Sequence, residues 1–334
     1  MAAGIGRNVS KMYSRRKFTS LAALYICAFA PGIASAETFP SRTVRIIVPY
    51  LPGGSADTLA RILAEELGKQ WKQPVIVENR PGGGTVVGAT TAANSKPDGY
   101  TLYIASTSHT ITPALYKSLP YDPVKSFEPV SMIANSPILL LVNPASGIKS
   151  LAELTQLAKT KPGGLNYASP GIGTSPQLAG ELYKANAGIT VVHVPFNGTS
   201  ASTAALLGGQ VDYIVADISA LPLVRGGQLK CLAVTAPARS PLLPDVPTFE
   251  EAGVKGVEVL NWSAVVAPAG TDPAIIAAVN HSIAKAISGS TVAEGYGRVG
   301  FTPESSTQEQ LQSYMVSETA KYKSVIATAG ITPE

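Results

Sequence analysis

The chain has 334 residues, 26 basic and 22 acidic, with two cysteines and three histidines. Five of the basic residues, Arg7, Lys11, Arg15, Arg16 and Lys17, fall in the first 36 positions, which hold no acidic residue; without them the balance is 21 against 22. The remainder has no basic excess to hold nucleic acid or an anionic membrane, its lone Cys231 closes no internal disulfide, and His109, His193 and His281 lack metal-ligand spacing.

Residues 1–36 read as an export signal. The basic segment leads into an apolar stretch, Leu21–Ala30, and then Ala34-Ser35-Ala36, a small-x-small cleavage pattern. That stretch is too short to span a bilayer, which needs about 20 residues, so cleavage near Ala36 and a periplasmic location are expected. Ser14-Arg15-Arg16-Lys17-Phe18 resembles a twin-arginine signal, leaving unfolded and folded export both open. Ile26 is too large to precede a lipidated Cys27.

Beyond the signal, strands and helices alternate. Val44–Val48 is a β-branched apolar run and predicts a buried strand. The loop Tyr50–Asp57 follows, and then a helix with Leu59, Ile62, Leu63 and Leu67 on one face. Val75–Glu78 predicts the next strand, Asn79–Gly84 a loop, Val86–Ala93 a helix, and Thr101–Ala105 a strand that opens into Ser106-Thr107-Ser108-His109. Ile138–Val142 predicts a strand crossing into a second lobe. There the order repeats: helix Leu151–Lys159, strand Leu165–Ala168, loop Ser169–Ser175, helix Pro176–Asn186, strand Thr190–Val194, a helix around Ser200–Leu207, and strands Tyr213–Ala216 and Cys231–Thr235. Val257–Ala267, with Trp262, carries the chain back, and helices Pro273–Ser288 and Gln308–Ala327 complete the first lobe. The expected class is α/β, with each lobe a mainly parallel sheet flanked by helices. The expected division is 37–137 plus 260–334 for the first lobe and 138–259 for the second.

In such sheets ligands bind beyond the carboxyl ends of strands, where helices start. Three loops meet that condition. Tyr50–Asp57 offers paired glycines and a helix N-terminus suited to an anion, or else an ordinary turn capped by Ser55 or Asp57. Ser169–Ser175 combines two glycines and three hydroxyls ahead of Pro176 at a first helical position; it reads as a neutral cradle for a carboxylate or as a capped turn. Ser106–His109 is again hydroxyl-rich, and His109 is either a ligand donor or structural. No G-x-S-x-G elbow or nucleophile–base pair is present. Gly295–Gly300 spells G-x-G-x-x-G but follows a helix and not a strand, so it is not a dinucleotide loop.

The loops also carry a family pattern. Val48-Pro49-Tyr50-Leu51-Pro52-Gly53-Gly54-Ser55-Ala56-Asp57, Val77-Glu78-Asn79-Arg80-Pro81-Gly82 and Pro97-Asp98-Gly99-Tyr100-Thr101-Leu102 open it. Tyr121-Asp122-Pro123, Tyr167-Ala168-Ser169, His193-Val194-Pro195-Phe196 and Leu232-Ala233-Val234-Thr235 continue it. Pro244-Asp245-Val246-Pro247-Thr248 and Ala267-Pro268-Ala269-Gly270-Thr271 complete it. From Phe39 onward the chain resembles the Bug-type extracytoplasmic receptors of tripartite tricarboxylate transporters. The resemblance implies a two-lobed "Venus flytrap" of type II that binds a carboxylate through polar loops and waters, without cofactor or catalysis, and delivers it to a membrane permease. It implies contacts from Tyr50, Gly54, Ser55, Ser106, Ser108, Ser169, Gly173, Thr174, Ser175, Asn197 and Asp217, in a monomer. Asp217 has a second reading, as a helix cap. The chain has Gln177 where the family commonly has histidine and Asn197 where it commonly has lysine; either the loss of two cations weakens the expectation of a highly charged ligand such as citrate, or both positions lie outside the pocket and say nothing about it. Tyr50 and Phe196 allow an aliphatic or aromatic mono- or dicarboxylate. A periplasmic sensor input, presenting the closed state to a signalling partner, is the alternative function.

Overall fold

The structure, a computed structural model, describes Met1 and residues 39–328. The expected signal peptide, with its twin-arginine run and cleavage pattern, lies outside the described residues apart from Met1. The first sheet starts with β1 (Val44–Val48), whose Ile46, Ile47 and Val48 are fully buried. Helix α1 (Ser55–Trp71) buries Leu59, Ala60, Leu63, Ala64 and Leu67, the i, i+4 stripe that its sequence sets out. Then follow β2 (Val75–Asn79), α2 (Val86–Ala93), β3 (Thr101–Ser106), α3 (Thr107–Leu115) and the 11-residue β4 (Phe127–Pro137).

The chain then enters a second sheet: β5 (Leu139–Val142), α4 (Leu151–Thr160), β6 (Asn166–Ser169), α5 (Ser175–Ala187) and β7 (Val192–Pro195). It continues through α6 (Thr199–Leu207), β8 (Tyr213–Ala216), α7 (Leu221–Arg225) and β9 (Lys230–Val234). Strand β10 (Leu260–Pro268) returns to the first sheet, followed by α8 (Pro273–Ile287), α9 (Ser290–Arg298), β11 (Thr302–Pro303) and α10 (Gln308–Thr328). The Gly295–Gly300 run lies in α9 and the turn after it, not in a strand-to-helix loop.

The sheet orders are β11-β4-β10-β3-β1-β2 and β7-β6-β8-β5-β9. Strands β1 to β4 run one way and β10 and β11 the other; β6 to β9 run one way and β5 the other. The α/β class stands, but mainly parallel pairing needs correcting to mixed pairing. The cause is that β5 and β10 arrive straight from the other sheet, not through a crossover helix, and each is inserted antiparallel between two co-directional strands.

Each sheet has its own core. One gathers Tyr103, Phe127, Met132 and Trp262 with Leu311 and Met315 of α10. The other gathers Leu140, Tyr167, Tyr183, Tyr213 and Phe249 with Tyr322, Val325 and Ile326 from the far end of the same helix. At 21 residues, α10 is about 31 Å long and serves both cores.

The two passages between the sheets run through Ile138 and Val259, both fully buried. Thr235, also fully buried, joins them: its Oγ1 accepts from Ile138 N at 3.0 Å and donates to Val259 O at 2.5 Å, while its own N–H donates to Ile138 O at 3.0 Å. A Thr235→Val substitution keeps the shape but strands Ile138 N–H and Val259 O in a dry core. It is expected to cost about 1–3 kcal/mol, read as a lower urea midpoint; an unchanged midpoint would show that the hydroxyl does not tie the passages.

Candidate functional site

At the carboxyl ends of β1 and β3 lies a cavity of about 260 Å³ lined by Tyr50, Gly54, Ser55, Ala56, Ser106, Thr107, Ser108, Asn261, Trp262, Ser263 and Phe301. Two helices begin on it. Helix α1 starts at Ser55 behind Gly54, and α3 starts at Thr107 behind Ser106; in neither does the preceding residue cap the helix with its side chain. Their first N–H groups therefore have no intrahelical or side-chain acceptor and suit an anion. The Tyr50 hydroxyl lies 2.7 Å from Ser106 Oγ. Burial raises its pKa while the Ser106 and Ser108 bonds lower it; the net shift is upward, which keeps the phenol a donor at neutral pH. The expected loop Ser106–His109 is in fact the start of α3, because Ser106 ends β3 directly at the helix.

Asp57 holds the first loop from beneath. Its carboxylate accepts from Gly53 N, Arg61 Nε and Asn79 Nδ2, each at 2.9 Å, and Asn79 Nδ2 also donates to Tyr50 O at 3.0 Å. Burial alone would raise its pKa, but the bonds from Arg61, Gly53 and Asn79 outweigh it and hold the group at about 2. Gly53, at φ 89°, takes the left-handed turn that this arrangement needs.

The loop Ser169–Ser175 supplies the other side. Ser175 Oγ donates to Asn261 Oδ1 at 2.5 Å, tying the first residue of α5 to a cavity-lining residue of β10. Gly173 lies against Leu115 of α3: a Cβ there would come within 2.6 Å of Leu115 Cδ1, and the φ of 74° is strained for any other residue. Thr174 caps α5, accepting from Gln177 N at 3.4 Å and donating to Gly171 O at 2.7 Å. Ser169 is fully buried and engaged with His193 Nε2 at 2.7 Å.

Of the eleven residues read from the sequence, Tyr50, Gly54, Ser55, Ser106 and Ser108 line one cavity, and Ser175 reaches it through Asn261. Gly173, Thr174 and Ser169 shape the opposing loop. Asn197 is exposed at the end of β7. Asp217 takes its capping reading: it accepts from Ser219 N at 2.9 Å, Ser219 Oγ at 2.5 Å and Thr199 Oγ1 at 2.6 Å. Its neighbour Ile218 faces the first lobe, where a Cβ on Gly300 would meet Ile218 Cγ1 at 2.6 Å. His109 takes its structural reading, buried among Tyr103, Tyr121 and Phe127 with Nε2 on Pro123 O at 2.8 Å. Burial, partly opposed by the Pro123 bond, lowers its pKa to about 4.

The sequence did not single out Asn261, Ser263 or Phe301, which also line the cavity. The polar–aromatic–polar run Asn261-Trp262-Ser263 at the start of a returning strand was the available signal. The cavity lining contains no lysine or arginine, and among the described residues no cluster of His, Cys, Asp or Glu could hold a metal. A carboxylate here would meet neutral N–H and O–H donors.

The depressed Asp57 pKa fixes a sign. With a folded value of about 2 against an ordinary 3.8, the group stabilises the fold fully above pH 3.8, and that contribution disappears as pH falls through about 2. Asp57→Asn is expected to lower unfolding stability by about 2 kcal/mol at pH 7, with the gap to the parent closing near pH 2. A gap that stays constant with pH would show that charge plays no part.

Known proteins resemble this chain in sequence and in fold. The model described as "Tripartite tricarboxylate transporter family receptor" matches residues 59–331. Protein BugT of Bordetella pertussis is 36% identical over 319 residues, covering 93% of this chain and 97% of its own length. Among solved structures, R. palustris Rpa4515 with adipate is 32% identical with a TM-score of 0.74, covering 89% of this chain and 100% of its own. MatC (Rpa3494) from Rhodopseudomonas palustris with bound malate is 33% identical with a TM-score of 0.70, covering 86% and 100%. The chain therefore belongs to the receptor family of the tripartite tricarboxylate transporters, the Bug-type proteins that its loop motifs resemble.

Proposed function

We propose that this protein captures a small aliphatic or aromatic mono- or dicarboxylate in the cleft between its lobes and delivers it to a permease of the tripartite tricarboxylate type. The lobes of this reading are residues 37–137 plus 260–334 and residues 138–259, and the protein works in the periplasm as a monomer once its signal peptide is removed near Ala36. It binds and releases without turnover.

One observation carries the reading: two helices on adjacent strands start side by side on one cavity, with no side-chain cap and with hydroxyls around them. A carboxylate accepting from several such donors is well stabilised without a cation. Tyr50, Gly54, Ser55, Ser106, Ser108 and Asn261 are its first-lobe contacts, and Ser175, bonded to Asn261, faces it from the second loop. Ser169, Gly173 and Thr174 give the second loop its shape, and Asn197 and Asp217 stand at the adjoining helix starts. The adipate and malate in the two structural relatives support the ligand class.

A thermal-shift screen of the purified protein against malate, adipate, citrate, amino acids and aromatic mono- and diacids tests the proposal. A ligand at 100 times its Kd stabilises by about 2.7 kcal/mol, and at least one carboxylate is expected to reach that. Ser55→Pro sharpens the test. Ser55 is the first helical residue and Gly54 before it is extended, at φ −76° and ψ 171°, so proline fits the backbone and removes one N–H together with the Ser55 hydroxyl. Affinity should fall about tenfold while the ligand-free Tm holds. Silence across the panel, or undiminished binding by Ser55→Pro, would sink the carboxylate reading or the role of α1.

A further inference from the structure

The loop opposite α1 and α3 is held by a chain of hydrogen bonds whose direction can be worked out atom by atom. Gly173 N–H can only donate, and it points at Gln177 Oε1 at 2.6 Å. That fixes the amide oxygen of Gln177 on the loop and turns its NH2 toward His193 Nδ1, 3.4 Å away. An NH2 group can only donate, so Nδ1 accepts, and the single proton of a neutral imidazole sits on Nε2. Nε2 lies 2.7 Å from Ser169 Oγ. Ser169 accepts that bond and passes its own proton to Gly171 O at 3.2 Å, while Gly171 N donates to Ser169 Oγ at 3.3 Å. The chain thus leaves the loop backbone at Gly173 and returns to it at Gly171. Gln177 is 4% exposed and Ser169 fully buried, so water cannot substitute freely for either.

We propose that Gln177 and His193 are positioning residues that hold the Gly171–Thr174 loop in its binding shape only while His193 is neutral, making ligand capture dependent on pH. The proposal rests on the reading that this loop faces a carboxylate, and it adds the control of that loop. A proton on Nδ1 would set N–H against the Gln177 NH2. Turning the amide over cures that clash but brings NH2 against Gly173 N–H instead. Either way one donor loses its acceptor, and the loop backbone is released at the residue that packs on Leu115 of the first lobe.

The surroundings of His193 decide where this happens. Its ring packs on Tyr167 at 4.7 Å, and Tyr213 stacks behind Tyr167 at 5.5 Å. From α5, Glu181 accepts from Tyr167 OH at 2.7 Å and pairs with Lys184 at 2.7 Å. Burial lowers the His193 pKa; Glu181 acts to raise it and Lys184 to lower it, and the net shift is downward. The imidazole is therefore neutral at neutral pH, and the loop lets go only in acid.

NMR titration of the purified protein from pH 4 to 8, following the His193 ring and the Gly171 and Gly173 amides, tests this in wild type, His193→Gln and Gln177→Glu. In wild type the two glycine amides should move with the midpoint of the His193 ring. In Gln177→Glu the carboxylate still accepts from Gly173 N and now also from a protonated Nδ1, so the His193 midpoint should rise by more than one pH unit and the Gly173 amide should stay in place. Calorimetry with adipate and malate gives the functional arm. Wild-type affinity should drop three- to tenfold more across the midpoint than that of His193→Gln, and Gln177→Glu should lose none of this. The same ligand titrates in all three proteins, so differences between them belong to the protein. Glycine amides that ignore the His193 midpoint, or one shared pH profile for all three proteins, would overturn the relay. Failure of both ligands to bind at any pH would count against the carboxylate reading alone, and the NMR arm would still decide the relay.

Discussion

The chain crosses between its sheets twice, at Ile138 and Val259, and both crossings are bonded to one buried hydroxyl, that of Thr235. Each crossing strand enters its new sheet antiparallel, and this sets the site as well as the fold. Antiparallel insertion places Ser263 of β10 opposite Ser106 of β3. The first residues of β10 therefore lie where α3 begins. Thr107 Oγ1 closes the join by donating to Leu260 O and accepting from Trp262 N, both at 3.0 Å. Parallel entry would carry the start of β10 to the far end of the sheet, and the cavity would lose Asn261 and Ser263.

The two loops that face one another are pinned from beneath in different ways. The first uses Asp57, a full charge under all ordinary conditions, whose oxygens are taken up by Arg61, Asn79 and a backbone N–H. With its charge directed into the Arg61 pair, the carboxylate does not line the cavity, so it can brace an anion site without repelling the anion. The second loop is braced by neutral groups alone, Gln177, His193 and Ser169. A neutral brace costs less to bury, but it contains a group that can gain a proton. The first loop is thus a fixed platform and the second a conditional one.

Most of this architecture could be read from residue patterns. The runs Val44–Val48 and Tyr213–Ala216 and the segment Val86–Ala93 became elements with those bounds, because each apolar segment is bounded by turn formers: Pro49 after the first, Asp212 and Asp217 around the second, Gly84 ahead of the third. Strand β4 was missed although it is the longest. Its sequence, FEPVSMIANSP, holds two prolines and four other polar residues, and it is a strand because neighbours on both edges, β10 and β11, supply its partners. Helix α9 was missed because its nine residues include two glycines, and burial of Val292 and Tyr296 overrides their cost. That α10 serves both cores follows from where each core lies in space, which its even periodicity does not encode.

For the site, hydroxyl-rich loops marked the right neighbourhoods but not the direction of each side chain. Thr174 carries the same hydroxyl as Ser55 and Ser108, and Asp217 an oxygen acceptor, yet both spend them on their own helix starts. A side chain that caps its helix is taken, whereas a helix start left without one has donors to offer. That mark alone is not enough, since α9 also begins behind an uncapped glycine, Gly289. What separates α1 and α3 is adjacency: they spring from β1 and β3, neighbours in the sheet, so two sets of free N–H groups converge on one cavity. Convergence is a property of strand order: β1 and β3 lie side by side, and β10 returns along the other edge of β3 to add Asn261 and Ser263 to the same cavity.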